Sequence, residues 1–205
     1  MEENTEFLKK ATDLFIENGA KTLTMDEIAK EFDISKKTIY QKYKNKDELL
    51  EEVLGYILAQ IIEKIKYSDQ NIENAIERMI CRDVEFDKVS NTNKTLFIRQ
   101  LIKYYPNIFN KHMLDFSEKF SAILVHNIDK GRQQGLYREN FDPEIYSKMF
   151  FQLVMSYDSS PFLDTSVIDR AYFNHETLMM YMNAITTEKG KETLKKIKNK
   201  DEEVH

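Results

Sequence analysis

Between residues 36 and 46 the chain reads KKTIYQKYKNK, with lysines at 36, 37, 42, 44 and 46 and no acid among them. On a chain of formal net charge −5 this is a local electropositive patch. Laid out as a helix at about 100° per residue, Ile39 and Tyr43 share one face, while Lys37, Thr38 and Gln41 lie on the opposite one. Tyr40 and Lys42 flank that outer face. Lysine, threonine and glutamine carry the donors and acceptors that pair with base edges, and flanking tyrosine and lysine reach phosphates. The chemistry this pattern supports is recognition of duplex DNA.

Two local signals position that helix. Thr24 can accept from the backbone of the following turn while Glu27 reaches back, a capping box that opens a short helix carrying Ile28, Ala29 and Phe32 on one face. Asp33 stands at the turn, where a residue that tolerates positive φ is needed. Ser35 is the next N-cap and predicts a helix from Lys36 to about Tyr43. Two short helices joined this tightly make a helix-turn-helix, whose second helix fits the major groove.

Gly19, Thr24, Ile28-Ala29, Ile34-Ser35-Lys36, Thr38-Ile39-Tyr40 and Lys46-Asp47-Glu48-Leu49-Leu50 together resemble the N-terminal DNA-binding domain of the TetR family of bacterial transcriptional regulators. The resemblance spans about the first quarter of the chain without gaps. It implies an all-α fold: a three-helix helix-turn-helix domain over residues 1–48, then a larger helical ligand-binding and dimerisation domain over 49–205. It also implies that Thr24, Tyr40 and Lys46 hold phosphates, completing a DNA-binding set with Ser35, Lys36, Lys37, Thr38, Gln41 and Lys42. Two positions depart from the family pattern. Asp33 replaces the turn glycine, and Lys37 replaces a glycine often found early in the recognition helix, putting a long cation where backbone nears DNA.

Around this stretch the periodicity predicts further helices. Phe7, Leu8, Ala11, Leu14 and Phe15 stripe a first helix that Gly19 stops. Asn45 caps a helix whose apolar stripe runs from Leu49 to Ile65, ending near Lys66 and forming the expected mechanical link between domains. After Ser68-Asp69-Gln70-Asn71, helices are expected from Ile72 to near Val89, from Leu96 to Tyr105, and from Phe109 to Gly131 or Gly135. Asp142-Pro143 opens another, apolar nearly all round from Ile145 to Tyr157, and Ala171 to Ile185 is similar. Two late helices this apolar predict a subunit interface, with burial inside one subunit as the alternative. The resemblance favours a homodimer in which they pair with their mates as a four-helix bundle. The tail from Lys189 to His205 is charged and expected to fray.

Phe97, Leu101, Tyr104, Tyr105, Met113, Phe116, Phe120 and Phe150 put aromatic and thioether surface on successive helices, suited either to plain core or to an apolar pocket. Arg99, His112 and Tyr104 are its polar anchor candidates. The resemblance implies a small, largely apolar effector in this second domain, releasing a repressor from a palindromic operator.

Composition narrows the other classes. Hydrophobic residues make up 41% and charged residues 32%, with 5 glycines and 3 prolines, which favours long helices over a turn-rich fold. Cys81 is the one cysteine, so no internal disulfide is expected and a cytoplasmic setting fits; no apolar run approaches the roughly 20 residues of a membrane span. Glu202 to His205 is the sole Glu-x-x-His spacing, and His112, His126 and His175 are scattered, so no metal site, cofactor or catalytic constellation is expected. A helix-turn-helix regulator without an effector, or a helical carrier or enzyme that has lost DNA binding, remain the alternatives.

Overall fold

The computed structural model describes residues 2–81 and 92–202, with side chains described for 4–81 and 96–197. Helix α1 (Glu2–Asn18) ends where Gly19 takes a φ of 84°. A Cβ there would stand 2.6 Å from the Gln100 carboxamide oxygen, so the turn needs glycine twice over. Helix α2 (Met25–Glu31) starts from the expected box: the Glu27 N–H donates to Thr24 Oγ1 at 3.2 Å, and the Thr24 N–H donates to the Glu27 carboxylate at 2.8 Å. Those bonds hold the Glu27 carboxyl below its ordinary pKa. Asp33 turns the chain at φ 53°, and α3 (Lys36–Lys42) begins from Ser35, whose hydroxyl accepts from the Thr38 N–H at 3.0 Å.

Helix α4 (Lys46–Asn71) is capped by Asn45, which accepts from the Glu48 N–H at 3.0 Å. Glu48 reaches back to the Lys44 N–H at 2.8 Å, one residue beyond the usual reciprocal partner. The helix outlasts its expected end near Lys66. Ser68–Asn71 forms its last turn, not a break, because Asp69 is paired with Arg78 and the Asn71 amide donates to the Tyr67 carbonyl at 2.7 Å.

Asn74 caps helix α5, which covers residues 75–81. Its expected continuation toward Val89 lies outside the described residues. Then come α6 (Thr92–Tyr104), α7 (Pro106–Gln133), α8 (Pro143–Ser159), α9 (Arg170–Ile185) and α10 (Glu188–Glu202). Pro106 opens α7, where its missing N–H costs nothing. Asp142 caps α8 by accepting from the Glu144 and Ile145 N–H groups, with Pro143 in the first turn. Among the described residues there is no strand, only an isolated antiparallel bridge between Tyr137 and Thr186.

Two compact units emerge, and they do not follow chain order. The first is Met1–Ile61 with Asn91–Phe116; the second is Ile62–Ser90 with Ser117–His205. In the first, α6 packs along α1 and α2 on α3, around buried Phe15, Ile28, Ile39, Leu50, Phe97 and Leu101. In the second, α8 packs on α9, with Phe150 meeting Tyr181 at 4.5 Å between ring centroids. The Tyr137 ring lies where a Cβ on Gly131 would stand, and its hydroxyl donates to the Ala75 carbonyl at 3.0 Å.

The tail, expected to fray, forms helix α10 over Glu188–Glu202. Gly190 sits against the Leu136 carbonyl with no room for a Cβ, and Leu194 is buried. Its charge belongs to the solvated face, which composition alone cannot separate from a solvated coil.

Candidate nucleic-acid interface

Helix α3 is fixed from its inner face. Ile39 and Tyr43 are buried; the Tyr43 ring stacks on Phe7 of α1 at 5.9 Å, and its hydroxyl donates to Glu52 of α4 at 2.8 Å. Burial, then the Glu52 carboxylate, raises the Tyr43 phenol above its ordinary pKa and keeps it a donor. The outer face is only partly committed. Lys37 and Gln41 are exposed and make no hydrogen bond to the described residues, and Tyr40 is 48% exposed.

The other candidates are already engaged. Lys36 pairs with Asp26 of α2, which raises its pKa. Lys42 folds back on α1, donating to Asn4 Oδ1 at 2.8 Å with its ammonium 3.8 Å above the Phe7 ring. Lys46 donates to the Lys21 carbonyl at 3.0 Å, and burial lowers its pKa against the upward pull of Asp47 and Glu27. The Thr24 hydroxyl is held by the Glu27 carboxylate at 2.8 Å, and the Ser35 and Thr38 hydroxyls share a bond of 2.7 Å. Apart from half-buried Lys46, these ties are exposed to solvent, where such pairs are worth little and exchange readily for phosphate.

The sequence profile of the bacterial regulatory proteins of the tetR family matches residues 7–53. An HTH-type transcriptional regulator of Bacillus subtilis (strain 168), YhgD, is 31% identical over 172 residues, 78% of this chain and 87% of that one. The chain belongs to the TetR family of transcriptional regulators. Solved structures share the fold. A transcriptional regulator from Saccharomonospora viridis in complex with choline superposes with a TM-score of 0.74 at 16% identity, covering 91% of this chain and 100% of that one. FadR from Bacillus subtilis in complex with stearoyl-CoA gives 0.64 at 19%, covering 86% and 96%.

Of the effector candidates in this TetR-family chain, Phe97 and Leu101 pack α6 against α1, with Phe97 6.2 Å from Phe15 between ring centroids. The Tyr105 hydroxyl donates to the Ala20 carbonyl at 3.4 Å, and Tyr104 is exposed. Phe116 is buried and Met113 half-buried, both on α7. Phe120 stacks on Phe150 at 6.4 Å. Gln100 carries no local signal in the sequence; it accepts from the Lys21 N–H at 2.7 Å across 79 residues. Among the described residues no three His, Cys, Asp or Glu side chains converge as a metal site, and no helix is long and apolar enough to cross a membrane.

His112 on α7 faces α4 at Gly55, where a Cβ would stand 3.4 Å from its Cε1, and its Nε2 is buried without a hydrogen-bond partner. Burial depresses its pKa; Glu51 and Asp115 pull it up and Lys111 pushes it down. The unfolded chain therefore binds a proton that the folded chain resists. The stability contributed is present above the ordinary histidine value of about 6.5 and lost as pH falls below it. His112→Asn should flatten the fall in melting temperature between pH 7 and pH 5; an unchanged fall would assign the effect to other groups.

Proposed function

We propose that the protein is a homodimeric repressor whose two copies of α3 enter the major groove at the halves of a near-palindromic operator. DNA reading belongs to residues 1–48, and effector binding and dimerisation to residues 49–205. The observation that carries this reading is the acid-free outer face of α3, with Lys37 and Gln41 uncommitted while Ile39 and Tyr43 anchor the helix from within. Lys37, Thr38 and Gln41 then read base edges. Thr24, Ser35, Lys36, Tyr40, Lys42 and Lys46 hold the backbone, each trading an internal bond, where it has one, for a phosphate.

Selection of bound duplexes from a random pool tests site, symmetry and half-site spacing together. Against the selected operator, Gln41→Ala should cost about 1–3 kcal/mol and relax preference at one base position per half-site. Equal loss on operator and random DNA would remove Gln41 from base reading.

Release by a bound effector, which we take to be small and largely apolar, is supported as to ligand binding by two fold neighbours solved with stearoyl-CoA and with choline. A ligand that favours the dimer state with wrongly spaced α3 helices would act through α4, which is shared by both compact units. Titration with acyl-CoA and choline, read as melting temperature and as operator release, tests this arm; a stabilising ligand that leaves DNA affinity unchanged refutes it.

A further inference from the structure

Next to the helix-turn-helix, two cations share one aromatic ring. The Lys21 ammonium lies 4.2 Å and the Lys103 ammonium 5.2 Å from the centroid of the exposed Tyr104 ring. Lys21 belongs to the turn between α1 and α2, and Lys103 and Tyr104 close α6. No carboxylate pairs with either lysine among the described residues. Both ammonium groups also lie at the Tyr104 hydroxyl, Lys103 with the larger effect and Lys21 next, and together they hold the phenol below its ordinary pKa.

The arrangement is braced from behind. The Lys21 N–H is held by Gln100 at 2.7 Å, its carbonyl accepts from Lys46 at 3.0 Å, and the neighbouring Ala20 carbonyl accepts from Tyr105 at 3.4 Å. The cluster is thus joined directly to Lys46, and Lys21 precedes the Thr24 cap by three residues. Two ammonium groups at one exposed ring can donate to an anion's oxygens, and the continuity with Thr24 and Lys46 makes that anion a phosphate of duplex DNA.

We propose that Lys21, Lys103 and Tyr104 form a second backbone clamp, which grips a phosphate beyond those held by the recognition helix and makes α6 itself a DNA-contacting element. The clamp rests on the DNA-binding reading above. It extends that reading to a helix that sequence assigns to the second domain.

The test is a salt titration of operator binding by the full-length protein. Each phosphate released should lower the slope of log K against log salt by about 0.9. Lys103→Gln should lower it by about that much per subunit, on operator and random DNA alike. Lys103→Arg should restore it, and Lys148→Gln on α8, also exposed, should leave it unchanged. Ethylation interference should lose one sensitive phosphate at the outer edge of each half-site in Lys103→Gln. Both residues substituted are exposed, and circular dichroism of each of the three variants checks the fold. An unchanged slope for Lys103→Gln beside a salt-dependent wild type overturns the clamp and leaves the DNA-binding reading standing. A lowered slope with an unchanged interference pattern also overturns it, since a general field would then account for the loss. Wild-type protein indifferent to every duplex at low salt overturns both.

Discussion

Asp69→Ala should lower the unfolding free energy by about 3–5 kcal/mol. Arg78 is only 3% exposed, and its guanidinium donates to Asp69 at 3.0 Å and to the Ile72 carbonyl. Removing the carboxylate leaves a buried cation with one neutral acceptor, and neighbouring His126, 3.7 Å from Asp69, cannot substitute for it. The loss is that of an uncompensated charge, not of an attractive contact. The paired change Asp69→Leu with Arg78→Met should therefore recover most of the stability, because apolar side chains of similar volume carry no desolvation cost. Guanidinium unfolding at fixed protein concentration measures both. At roughly 2–4 °C per kcal/mol for a chain this long, the single variant should also melt roughly 6–20 °C lower. A single-variant loss under 1 kcal/mol would mean that water reaches Arg78.

That pair also shows which parts of the fold were legible in the sequence. The caps were, because Thr24 with Glu27, Ser35 and Asp142-Pro143 act within one turn and need no distant partner. So was the face of α3, since Ile39 and Tyr43 against Lys37 and Gln41 is a periodic pattern. What failed were decisions made by residues far apart in the chain. Helix α4 runs on to Asn71 because Asp69 finds Arg78, and α10 forms because Gly190 fits against the Leu136 carbonyl. Neither partner is visible from local composition. The same limit applies to the interface: position alone could not say that Lys36, Lys42 and Lys46 fold onto Asp26, Asn4 and the Lys21 carbonyl. Nor could it say that Phe97 and Leu101, apolar like any pocket lining, are spent packing α6 on α1.

Met149→Glu combined with Met180→Glu should convert the protein to a monomer and weaken operator binding by about 10²–10⁴-fold. Helices α8 and α9 each carry two apolar stripes. One is consumed within the subunit, where Phe150 of α8 meets Tyr181 and Tyr157 meets Phe173 of α9, while Phe151 packs on Phe120 of α7. The other remains outside: Ile145 and Met149 on α8, Tyr172 and Met180 on α9, all more than half exposed. Four large apolar side chains on adjacent helices form a surface that a second copy of the same pair can cover, and a two-fold axis makes the patch its own complement. A carboxylate at the centre of such a contact has no partner to pair with, and burying it costs several kcal/mol. Operator affinity falls with it, because the second half-site is no longer bound at the high effective concentration that the first provides. Binding to an isolated half-site should change little, which separates lost pairing from a damaged recognition helix. Lys148→Glu, an exposed neighbour on the same helix, serves as the charge control. A double variant that still sediments as a dimer and holds its operator would place the subunit interface on another face.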